Sequence, residues 1–68
     1  MTFNTDILAF LRKKKRKKAR KIIKKIERGD TSIEHRYDYA EKLASYAKNG
    51  QRAAFIGAFH AAWNDYVI

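Results

Sequence analysis

The sequence predicts an all-α fold: a small three-helix domain with a long, highly basic first helix and the second and third helices paired as an αα-hairpin. Three observations lead there. The 68 residues contain no Pro and only three Gly, too few turn formers for an all-β chain and ordinary for a few long helices. Apolar residues recur at helical spacing in three stretches. Between those stretches stand Gly29 and Asn49-Gly50, where a left-handed residue ends a helix or makes a turn. Residues 1–68 are read as one domain, without internal repeat or Ser/Gly-rich linker.

Helix one is expected over about residues 5–28. Asn4 or Thr5 can cap it, and Asp6 suits the positive end of the helix dipole. At about 100° per residue, Ile7, Leu8, Leu11, Ala19, Ile22, Ile23 and Ile26 form one apolar arc. Arg12, Arg16 and Arg20 step along the opposite side beside Lys13, Lys17 and Lys24, giving one continuous basic face. Lys15 falls inside the apolar arc, so the stripe is interrupted between Leu11 and Ala19. Either the helix overhangs the bundle there or acids lie opposite. Helix two offers such acids in Glu34, Asp38 and Glu41.

Helix two is expected over about residues 32–48, opened by Thr31-Ser32-Ile33-Glu34 as a capping box. Its apolar stripe is Ile33, Tyr37, Ala40, Leu43, Ala44 and Ala47. Helix three, about residues 51–66, is Ala-rich and interrupted only by Gly57, which costs about 1 kcal/mol relative to Ala and is attributed to close helix packing. Phe55, Phe59, Trp63 and Tyr66 are read as a three-helix core or a homodimer interface. A chain this short buries only about 60% of its unfolded surface, so a homodimer is a natural supplement to a thin core.

The charge is unevenly placed. The chain carries 16 Lys+Arg against 7 Asp+Glu, for a formal net charge of +9, and its pI is near 10.1. Residues 12–28 (RKKKRKKARKIIKKIER) hold 12 of the basic residues and one acid, Glu27. So dense a positive run is an electrostatic footprint that speaks to partners rather than fold. Nucleic acid is the polyanion that best matches it, because binding gains from counterion release.

Eight of these residues are Lys and four are Arg. Lys is a hydrated point charge, whereas Arg reads base edges or phosphate bidentately. Phosphate contacts with little sequence readout are therefore expected, from Arg12, Lys13, Arg16, Lys17, Arg20, Lys21, Lys24 and Arg28. No helix-turn-helix with a polar recognition helix is visible, which tilts the reading from DNA toward RNA. Tyr39 and Tyr46, seven apart on helix two, are candidate stacking or interface residues, while Tyr37 is assigned to the core.

Enzymatic chemistry is not expected. With no Cys, a disulfide scaffold, a zinc knuckle and a thiol nucleophile are excluded. His35 and His60 lie on different predicted helices without a carboxylate at ligand spacing. Ser32 and Ser45 lack an evident base, and Asp38 with Glu41 makes a weak metal pair. No catalytic residue, metal or cofactor is assigned. The longest uncharged stretch, residues 53–64, is too short to span a bilayer, which takes about 20 apolar residues. The N-terminus lacks the basic region of a signal peptide, so a cytoplasmic protein without membrane attachment is expected, in a bacterial or phage-infected cell.

A small, Lys-rich, Pro-free and Cys-free chain is similar in general character to early bacteriophage proteins that neutralise host enzymes or defence systems. The likeness lies in composition, not in a motif. It implies an alternative function: an inhibitor or adaptor whose basic helix clamps an acidic protein, alone or together with RNA. A nuclear localisation signal at residues 13–18 fits less well, since such signals favour exposed extended segments.

Overall fold

The computed structural model describes residues 3–67, and its regular structure is helical throughout. A 3₁₀ helix, Thr5–Phe10, comes first, followed by a 3₁₀ turn, Lys13–Lys15. Three α-helices follow: α1 (Arg16–Glu27), α2 (Ile33–Ala44) and α3 (Arg52–Val67). Both α2 and the first 3₁₀ helix pack against α3.

The first predicted helix is therefore not continuous. Asn4 caps its start as expected, its Oδ1 accepting the Asp6 N–H at 2.9 Å. The chain then leaves helical geometry at Leu11 (φ −98°, ψ 151°), which forms an isolated antiparallel bridge with Ala47. The Arg12 N–H donates to the Tyr46 carbonyl at 3.0 Å, and the Lys48 N–H to the Phe10 carbonyl at 2.8 Å.

The physical reason for the break lies in the interrupted stripe. A helix over residues 5–28 would run roughly 36 Å, beyond the molecule's longest extent of 30 Å. It would also press Lys15 against the core, and an unpaired buried ammonium is costly. Breaking at Leu11 lets Leu11 and Ala19 both reach full burial while Lys13 and Lys14 stay in water. Lys15 is half-buried, its Nζ 5.7 Å from the centre of the Tyr46 ring. Neither an overhang nor opposing acids are used: Glu34, Asp38 and Glu41 are exposed, and among the described residues none pairs with a Lys or Arg.

Helix α1 ends in a Schellman motif. The Gly29 N–H bonds to the Ile26 carbonyl and the Asp30 N–H to the Lys25 carbonyl, with Gly29 at φ +111°, the left-handed position that favours glycine. Helix α2 is capped by Ser32, whose Oγ accepts the His35 N–H. The cap is one residue later than a Thr31–Glu34 box requires, so position N3 holds His35 and the reciprocal bond does not form. Glu34 instead stands in the first turn, facing the helix dipole. Helix α2 stops at Ala44, short of residue 48, because Tyr46 and Ala47 are committed to the bridge with the N-terminal segment.

The core gathers side chains from the first 3₁₀ helix and all three α-helices, with Phe3 and Leu11 beside them. Phe3, Leu11, Ile26, Leu43, Phe55 and Phe59 are its largest fully buried members. Phe59 is the hub, with ring centroids 5.8 Å from Phe3, 6.1 Å from Phe55 and 6.0 Å from Trp63. Phe55, Phe59 and Trp63 are thus core residues within a single chain, and Tyr66 packs at the edge, its hydroxyl donating to the Glu27 carbonyl. Two apolar assignments and one packing explanation need correction. Ile33 is 73% exposed and Tyr37 61% exposed, because α2 turns only its Ala40, Leu43 and Ala44 side inward. Gly57 is exposed, and a Cβ there would meet nothing within 4 Å, so close packing does not explain it.

Candidate nucleic-acid interface

Helix α1 is held by a narrow apolar side, Ala19, Ile22, Ile23 and Ile26, all buried. The other positions are basic apart from Glu27, and like charges three or four apart oppose the helix by about 0.2–0.5 kcal/mol per pair. Its first turn carries Arg16, Lys17 and Lys18 at the positive end of the dipole, without a side-chain cap. Burial of the isoleucines therefore sustains a helix whose exterior repels itself.

The eight residues expected to contact phosphate divide into two groups. Lys17, Lys21 and Lys24 line the outermost row of α1, continued by Arg28 just past its end, with Arg20 beside it, and Lys13 lies exposed in the preceding 3₁₀ turn. These six are open to solvent. Arg12, although exposed, and Arg16 are tied to the backbone. The Arg12 Nη2 donates to the Ser45 carbonyl at 3.3 Å. Arg16 is half-buried, and its Nε donates to the Leu8 carbonyl at 3.1 Å and the Leu11 carbonyl at 3.3 Å. The row Arg12–Arg16–Arg20 is thus broken by the bend, and Arg16 holds that bend together. Lys14, Lys18 and Lys25 are also exposed and extend the basic surface beyond the residues chosen from the sequence.

Two concavities adjoin this surface. One, of about 640 Å³, lies between the first 3₁₀ helix and one flank of α1; Leu8, Ala9 and Ile23 form its apolar part, Arg16, Arg20 and Lys24 its basic side, and Asp6 and Glu27 also line it. The other, of about 410 Å³, is formed by the consecutive residues Arg12–Lys15. Crowding is felt electrostatically: Lys18 above all, then partial desolvation and Arg12, pull the Lys15 ammonium pKa below its ordinary value. An anion bound nearby would relieve that repulsion.

Glu27, the one acid of the basic run, is a structural acceptor. Its Oε2 takes the Phe3 N–H at 2.8 Å, tying the N-terminal segment to the end of α1. Among the described residues, the one ion pair joins His35 to Asp30. The Asp30 carboxylate accepts the Tyr39 hydroxyl and meets His35 Nδ1. These bonds, Tyr39's first, lower the Asp30 pKa, and the same carboxylate raises those of His35 and Tyr39.

Tyr39 and Tyr46 consequently differ from a paired stacking platform. Both are half-buried against the core; the Tyr39 hydroxyl is committed to Asp30, and Tyr46 stands in the turn beyond α2. The aromatic that reaches solvent is Tyr37, which the sequence pattern assigned to the core. It is flanked by the Arg36 guanidinium at 6.0 Å and the His60 ring at 5.5 Å. Arg36 Nε donates to His60 Nδ1 at 2.9 Å. Burial first, and the Arg36 charge second, lower the His60 pKa, favouring the neutral ring whose Nδ1 accepts that bond. The signal available in the sequence was the neighbouring charge: Tyr37 lies between Arg36 and Asp38, on the side of α2 that bears Glu34 and Glu41.

Among the described residues, no cluster of three or more His, Cys, Asp or Glu could hold a metal ion, and no helix is long and apolar enough to cross a membrane. Comparison of the chain with protein families, with curated proteins and with solved structures finds no match.

Proposed function

We propose that the chain is a non-enzymatic nucleic-acid-binding protein that meets the phosphate backbone with the exterior of α1 and the adjoining Lys13–Lys15 turn. It reads little sequence and prefers RNA to DNA. One observation carries the reading: among the described residues, no Lys or Arg forms an ion pair with a carboxylate, although residues 12–28 hold 12 positive charges. A surface so charged and so little neutralised from within gains most from an external polyanion. The tilt toward RNA is supported by α3, which buries Phe55, Phe59, Ala62 and Trp63 and so offers no polar recognition helix to a DNA groove.

In this reading α2 and α3 serve as an αα-hairpin that supports α1, and the protein works in the cytoplasm. A homodimer would double the charge. With the α3 aromatics enclosed, Ile33 and Tyr37 supply the apolar surface for such a contact.

The test is a set of binding isotherms on RNA and DNA homopolymers from 50 to 200 mM salt. Six to ten phosphate contacts predict a loss of roughly 10³–10⁵ in affinity over that range. Replacing Lys17, Lys21 and Lys24 together by Gln should lower the salt slope by roughly 2–3 with the helical signal unchanged. Binding indifferent to salt, or absent at 50 mM, overturns the reading. A protein partner that survives nuclease treatment, with no salt-sensitive polynucleotide binding, replaces it by the inhibitor or adaptor reading.

A further inference from the structure

We propose that the cleft between the first 3₁₀ helix and α1 receives one unpaired nucleotide of a bound strand. The inference rests on the reading of α1 as a nucleic-acid surface and says which form of nucleic acid that surface selects.

The cleft owes its existence to the break at Leu11. A continuous helix has no inside corner; the bent chain sets Thr5, Asp6, Leu8 and Ala9 against the flank of α1 that carries Arg16, Arg20, Ile23 and Lys24. The resulting space, about 640 Å³, falls in the range typical of small-ligand sites. Its chemistry has three parts. The floor is aliphatic: Ala9 is exposed at the lip, over Leu8 and Ile23, which are themselves buried in the core. The α1 wall carries Arg20 and Lys24, exposed, without a carboxylate partner and one helical turn apart, and ends at Glu27, whose Oε2 is engaged by the Phe3 N–H. At the opposite side stand the Thr5 hydroxyl and the Asp6 carboxylate, both able to accept hydrogen bonds.

An aliphatic floor, a cationic wall and a small acceptor edge match a nucleotide part by part. The base face lies on the floor, as extruded bases do between apolar side chains. The flanking phosphates meet Arg20 and Lys24. The exocyclic amine of adenine, cytosine or guanine faces Thr5 and Asp6; uracil has none. A base held in a duplex cannot enter, so the cleft favours single strands, bulges and loops, the forms by which RNA is usually distinguished.

Short single-stranded oligoribonucleotides carrying 2-aminopurine, the matching blunt duplex and a single-strand abasic control supply the test. The single strand should bind more tightly than the duplex and the abasic strand, by about five- to tenfold, with a change in 2-aminopurine fluorescence. Ala9→Trp fills the cleft at an exposed position without altering charge, and should abolish that preference while leaving duplex binding and helical circular dichroism unchanged. Because Ala9→Trp can disturb the fold, Lys24→Gln is compared with Lys18→Gln, which lies on the far flank of α1. Lys24→Gln should reduce single-strand binding more than duplex binding, and Lys18→Gln both alike. Oligouridine should show the smallest preference. Adenosine monophosphate should compete weakly, since it lacks the neighbouring phosphates.

Equal affinity for strand, duplex and abasic control overturns the cleft assignment while leaving the basic-surface reading in place. So does a well-folded Ala9→Trp protein that keeps the preference, or mononucleotide binding as tight as the strand. Failure to bind any of the oligonucleotides removes the basic-surface reading itself.

Discussion

Helices α1 and α3 bury similar sets of four residues and present opposite exteriors. On α1, Ala19, Ile22, Ile23 and Ile26 face inward and nearly everything else is Lys or Arg; on α3, Phe55, Phe59, Ala62 and Trp63 face inward and Ala53, Ala54, Gly57 and Ala61 face water. A small neutral exterior is enough for a helix to dock and stay helical. The exterior of α1 does more than docking requires, because its charges oppose both one another and the dipole at its N-terminus. The contrast separates what the fold needs from what a partner needs. The buried residues of α3 and the isoleucine side of α1 hold the fold, and the proposed function assigns recognition to the outside of α1.

That division is broken most severely at Phe59. Phe59→Ala removes the hub of the aromatic core and should cost about 3–5 kcal/mol, a large part of what so small a domain has to lose. Loss of the cooperative thermal transition by circular dichroism is the expected result; a variant that melts like the parent would mean that α3 does not carry the fold.

Next comes the exception within α1. Arg16 belongs by sequence to the recognition face but bonds the Leu8 and Leu11 carbonyls at the bend. Arg16→Gln should therefore destabilise by about 1–2 kcal/mol, whereas Lys17→Gln next to it should stay within about 0.5 kcal/mol of the parent. Urea titration of the two variants checks this, and equal midpoints would return Arg16 to the binding surface.

The smallest effect is a gain on α3. Gly57 is exposed in mid-helix with open space around its Cβ position, so Gly57→Ala should stabilise by roughly 0.5–1 kcal/mol with polynucleotide affinity unchanged. A measurable loss of affinity on this substitution would show that the outside of α3 takes part in binding after all.

Much of the architecture was legible in the residues. Asn4 caps as expected, Gly29 and Gly50 take positive φ, and the four inward residues of α1 follow from their spacing. Three features were not. The capping box at Thr31 matched a pattern that the chain shifts by one residue, since Ser32 competes for the same role. Tyr37 and Ile33 fit the apolar period of α2, but that helix docks by a narrow side and leaves both in water. Arg16 fit the basic face, but its bonds run to the Leu11 carbonyl and to the Leu8 carbonyl, which also accepts the Leu11 N–H, where the helix breaks. Within the cleft, Arg16, Arg20 and Lys24 were chosen from the sequence, while Leu8, Ala9 and Ile23 are brought beside them only by the bend.

The sequence by itself determined helical stretches that include α1, α2 and α3, the glycine stop of α1 at Gly29 and the dense positive charge of residues 12–28, because these depend on neighbours within a turn or two. Only the tertiary structure decided that Leu11 abandons the first helix, since its partner, Ala47, lies 36 positions along the chain. A local period cannot register a competing bond from so far away. That one long-range bridge brings Leu11 and Ala19 into the same core, keeps the lysines between them at the surface and opens the cleft beside α1.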